Sequence, residues 1–140
     1  MSLQNEDVHN LAYTIVQVVH NFGTVIVMGG YITTLIFRAD QIRLKTAWVS
    51  LIGWIIQGIS GASFGLVSYY FYHQFPDIGL IGKSALALKI FCVIAGITLT
   101  GIYILNEKKW SEKIKDLEWF TAAALAATAL TAAAFLRWFS

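Results

Sequence analysis

Charge divides the chain into four long apolar runs. Leu11 to Phe37 and Ala47 to Tyr72 contain no Asp, Glu, Lys or Arg, Ser84 to Leu105 contains only Lys89, and Trp119 to Leu136 contains none. A helix crossing the hydrocarbon core needs about 20 mostly apolar residues. The pattern therefore predicts an all-α integral membrane four-helix bundle, with spans at about 11–37, 47–72, 84–105 and 119–136 and residues 1–140 forming one transmembrane domain. Glu6 and Asp7 precede the first run with no Lys or Arg, and the run is too long for a signal-peptide core, so it reads as a permanent span.

The loops between the runs predict an orientation. Arg38, Arg43 and Lys45 lie between spans one and two, and Lys108, Lys109, Lys113 and Lys115 lie between three and four. The opposite side carries only Lys83 and Arg137. By the positive-inside rule the two basic loops face the cytoplasm, and both termini face outward, in a multi-pass protein of the inner (cytoplasmic) membrane. Trp48 and Trp110 then fall at the inner interface and Trp138 at the outer one, where amphipathic indoles are favoured.

Composition agrees. The chain is 57% apolar and 13% charged, against about a quarter charged in soluble domains. A net charge of +2, with no basic stripe, excludes nucleic acid as a partner. The single cysteine, Cys92, excludes an internal disulfide and any CxxC motif.

Lipid tails remove the hydrophobic drive between helices, so small residues carry the packing. Span two has Gly58, Gly61, Ala62 and Gly65, with Gly61 and Gly65 in GxxxG spacing that favours internal packing. Span four holds nine alanines between Ala122 and Ala134, and this face is the expected homodimer seam.

Two ionisable side chains inside spans require an explanation, because a central Lys costs about 2.5–3.5 kcal/mol on insertion scales. Arg38 follows His20 by the same number of residues, eighteen, as Glu107 follows Lys89. At about 1.5 Å per residue both sit about 27 Å from the inner boundary, level with each other in the outer half. Tyr13, Gln17, His20, Gly23, Thr24, Val27, Gly30, Tyr31 and Thr34 share one helical stripe, and Ala85, Lys89, Cys92, Gly96, Thr100 and Tyr103 share another. Gly23, Thr24 and Gly96 add little volume, so the two faces leave room for a flat macrocycle. The bland alternatives are a Lys89 that snorkels to the outer interface and a His20 that hydrogen-bonds Thr24, Gln17 or a backbone carbonyl. Gln57 and Ser60 are placed in the inner half of span two, too deep to reach this level.

The segment His20-Asn-Phe-Gly-Thr-Val-Ile-Val-Met-Gly-Gly resembles the first-helix signature of small bacterial membrane proteins of the copper-resistance D and HemJ-type protoporphyrinogen oxidase group, and Ala87-Leu88-Lys89-Ile90 is similar to that group's Lys-bearing helix. The resemblance implies a b-type heme with His20 and Lys89 as axial ligands, and Gln17, Gly23 and Thr24 beside it. The expected function is electron transfer near the periplasmic face, with a redox partner or quinone. Two strong-field nitrogens leave the iron no open position. Lys83 and Arg137 lie nearest the outer rim, in reach of propionates.

His73, just beyond span two, is the alternative second ligand. His20, Met28 and Cys92 could instead make a soft copper site in a metal-handling or transport-associated protein, and a non-catalytic subunit of a respiratory complex is a third class. No HExxH, GxSxG or phosphate loop occurs, so an enzymatic role stays open only as a heme-dependent oxidoreductase. The spans as drawn contain no carboxylate, which argues against an ion-driven transporter.

Overall fold

A computed structural model describes residues 3–37, 40–75 and 77–138, and Arg38, the reference for the depth of His20, lies outside them. Four helices follow in order: α1 (Leu3–Phe37), α2 (Arg43–Tyr72) after a short 3-10 turn at Asp40–Ile42, α3 (Leu80–Asn106) and α4 (Glu112–Trp138). Each is long and apolar enough to cross a membrane. The helices outrun the charge-free segments because backbone hydrogen bonding continues into the polar interface, where charged side chains reach water. At α4 this difference matters, since the helix begins at Glu112 and carries Glu118 into the bundle.

Consecutive helices pack side by side, and α4 returns against α1, so α1 faces α3, and α2 faces α4, across the diagonals. Phe22, Val25, Ile59, Leu66, Phe91, Ile94 and Phe120 are exposed, as lipid-facing residues must be. Small, aromatic and polar residues fill the interior. Trp54, Trp119, Tyr31 and Tyr103 are its largest fully buried side chains.

Glycines set the register between helices. The Trp54 ring lies where a side chain on Gly96 would be, Ser50 Oγ does the same at Gly30, and a Cβ on Gly53 would meet Val27 Cγ2 at 2.8 Å. In α2, Gly58 faces Val93, Gly61 faces the His20 ring and Gly65 faces Phe75, so the GxxxG pair packs within the chain. The alanines of α4 also turn inward at Ala122, Ala126, Ala129 and Ala132. An Ala at every turn lets α4 approach the bundle closely, while Ala124, Ala127, Thr128 and Thr131 remain exposed on its other face. The α2 C-cap, His73, takes the left-handed conformation with φ 53°, and its N–H closes on Tyr69 O at 2.8 Å.

Candidate functional site: a buried histidine and lysine

His20 on α1 and Lys89 on α3 meet across the bundle diagonal, with Lys89 Nζ 2.9 Å from His20 Nε2. The equal spacing seen in the sequence is thus realised as a direct contact. His20 is 6% exposed and Lys89 is half-buried. The other ring nitrogen, Nδ1, lies 2.7 Å from Ser60 Oγ of α2, and Ser60 donates its hydroxyl proton to Ile56 O. That last bond orders the whole chain. With the Ser60 proton committed, Nδ1–H is the donor to Ser60 Oγ, Nε2 keeps its lone pair, and the Lys89 amine donates to it. Two protonated nitrogens have no lone pair to offer each other, so the pair holds at most one proton beyond its neutral form.

Gln57 completes the setting. Its side-chain amide donates to His20 O and, at 2.8 Å, to Thr24 Oγ1, while Thr24 Oγ1 also donates to His20 O at 3.2 Å. The Phe64 ring stands edge-on to the imidazole, with centroids 5.5 Å apart. Gln57 and Ser60 are therefore direct partners of the site, which corrects their assignment to a deeper level. The contacts of Gly23 and Gly53 set an α1–α2 register that slides Gln57 and Ser60 up beside His20, and no count along one helix shows that slide.

The other candidates are dispersed. Gln17 is half-buried and bonds its own neighbour, Asn21, at 2.8 Å. Gly23 is buried, but a Cβ there would lie 2.9 Å from Gln57 Nε2 and from Ile56 Cγ2. Cys92 is buried in the core cluster that contains Val27, and Met28 packs against that cluster. No three His, Cys, Asp or Glu side chains converge among the described residues. His73 is exposed at the end of α2 with its ring against Tyr69, away from His20.

The residues do not accommodate a heme as they are arranged. Metal–nitrogen bonds run about 2 Å, so trans ligands of one iron stand roughly 4 Å apart, and the observed gap is 2.9 Å. The space expected beside Gly23 and Gly96 is filled from α2 by Gln57, Ile56 and Trp54. The donor chemistry suits iron, whereas the packing leaves no slot for a macrocycle.

Deeper in the bundle a second polar group spans three helices: Tyr31 OH lies 2.6 Å from Thr100 Oγ1 and accepts the Trp54 indole N–H at 3.0 Å. Trp119 packs edge-on to both Tyr31 and Tyr103. Glu118, 7% exposed, is buried next to Trp119 in α4. The expectation of spans free of carboxylates is thereby corrected. Glu118 follows a charged segment directly, so the sequence pattern assigned it to the loop, but its helical phase carries it inward beside Trp119. No family model, curated protein or solved structure matches this chain.

Proposed function

We propose that the chain is a multi-pass membrane protein whose working centre is the His20–Lys89 pair, and that this pair takes up and passes on a proton. The observation that carries the reading is the linked chain Lys89 Nζ, His20 Nε2, His20 Nδ1, Ser60 Oγ, with one donor or acceptor role open to each atom. A Lys and a His at this depth are expensive, and intramembrane ionisable groups with named partners are proton-relay candidates by default. Two polar groups lie along the bundle, Gln57 and Thr24 beside His20 and the separate Trp54, Tyr31 and Thr100 group deeper in. Reconstituted vesicles with an internal pH dye test it. The wild-type protein should dissipate an imposed pH gradient faster than Lys89→Met vesicles, and equal rates would overturn the reading.

The convergence of two nitrogen donors from opposite helices also favours a second reading, the b-type heme protein implied by the resemblance, with a redox partner at the outer face. That reading requires the His20–Lys89 contact to part and α2 side chains to vacate the space between them. It predicts a Soret band in the purified protein that His20→Ala removes, whereas the proton reading predicts a colourless protein with either residue. The orientation by positive loops, with both termini outside, belongs to both readings as a proposal.

A further inference from the structure

The inner half of the bundle contains buried polar atoms that the His20–Lys89 centre does not use. Among the described residues Glu118 Oε1, Thr34 Oγ1 and Ser50 Oγ each lack a hydrogen-bond partner, and their residues are 7%, 1% and 0% exposed. They come from α4, α1 and α2. Thr34 is one turn beyond Tyr31, Ser50 is one turn before Trp54 and packs on Gly30, and Glu118 adjoins Trp119, whose ring meets Tyr31 edge-on, so the three fall within about one helical turn of the Tyr31 level. The Tyr103 hydroxyl of α3 and the Trp119 indole N–H of α4 also have no hydrogen-bond partner among the described residues, and their rings meet edge-on.

Unpartnered polar groups are costly to bury, and native interiors hold few of them. Several within about one turn of the Tyr31 level, from four helices, indicate a guest that both donates and accepts. Two cations at this end are engaged with other carboxylates: Arg43 of α2 contacts Asp116 at 2.6 Å and Glu112 at 3.6 Å, and Lys115 contacts Glu112 at 2.9 Å and Glu107 at 3.4 Å. Among the described residues no ion pair joins Glu118 to a cation. An isolated carboxylate buried in this way is far costlier than the neutral acid.

We propose that Glu118 is an intramembrane proton-binding carboxyl, with water held by the Thr34 and Ser50 hydroxyls as the carrier that delivers and removes its proton. The step is a simple protonation: a proton carried by hydronium bonds to a carboxylate oxygen and leaves neutral water, and the reverse step returns the proton from the acid to water. The assignment rests on the packing of the inner half alone and stands whether or not the His20–Lys89 reading holds.

Infrared spectroscopy of the lipid-reconstituted protein tests it. The wild type at neutral pH should show the C=O stretch of a protonated carboxylic acid, shifting in D2O, and Glu118→Gln should lose that band while keeping the same helical content. Should that variant fail to fold, wild-type protein labelled with 13C at its glutamate carboxyls gives the same answer, since the acid band must then move with the isotope. A carbonyl region without an acid band at neutral pH, or an acid band that survives in Glu118→Gln or ignores the glutamate label, would overturn the proposal.

Discussion

Lys89 Nζ and His20 Nε2 stand 2.9 Å apart, although 69 residues separate them in the chain. The contact joins helices that face each other only across the bundle diagonal, so it ties α3 to α1 where backbone packing does not. It also explains how a lysine remains at this depth: its amine spends one proton on an imidazole lone pair instead of leaving it unsolvated.

Replacing Lys89 separates this tie from snorkelling. Lys89→Met keeps the length of the side chain and removes the donor, which leaves a buried ring nitrogen unpaired at a cost of about 1–3 kcal/mol. A lower Tm in detergent is expected. A snorkelling lysine would give an unchanged or higher Tm with Met, since Met costs nothing in hydrocarbon.

Ser60→Ala should also destabilise, by about 1–3 kcal/mol, because Nδ1–H loses its acceptor inside the bundle. Gln57→Leu removes bonds to both His20 O and Thr24 Oγ1 and is expected to cost a similar amount. Since all three residues belong to one network, the Ser60→Ala and Lys89→Met losses should fall short of additivity in the double variant. Full additivity in chemical unfolding would show that the two contacts act separately.

Gly96→Ala tests the packing that closes the interior. The new methyl would collide with the Trp54 ring, and overpacking of this kind costs about 1–3 kcal/mol. At Gly29, where a Cβ meets nothing, Ala should be neutral or stabilising by up to about 1 kcal/mol through helix propensity. Equal effects at the two glycines would contradict the Trp54–Gly96 contact.

Orientation can be read by labelling single cysteines in a Cys92→Ala background. Asp77→Cys, between α2 and α3, should react with an impermeant maleimide in intact cells, and Ser111→Cys, between α3 and α4, should not. The reverse pattern would place the His20–Lys89 pair toward the cytoplasm.

The spans were legible because lipid imposes one strong rule, and Leu11 to Phe37 or Ala47 to Tyr72 obey it without exception. The match in depth of His20 and Lys89 was legible too, since helix rise converts equal spacing into equal height. Side-to-side register was not. It depends on which glycine receives which neighbour, and Gly96, read as space for a cofactor, is where Trp54 seats its ring. Ser60 and Gln57 were missed for the same reason. Glu118 was hidden differently: it borders a run of charges, and only its helical phase relative to Trp119 and Ala122 turns it inward.

The tautomer of His20 tests the central claim most directly. With 15N-labelled histidine in the lipid-embedded protein, assigned by comparison with His20→Ala, NMR should show a protonated Nδ1 and an unprotonated, hydrogen-bonded Nε2, and Lys89→Met should shift the Nε2 resonance. A proton on Nε2 in the neutral ring, or an Nε2 resonance indifferent to Lys89→Met, would contradict the direct His20–Lys89 pair and the function built on it.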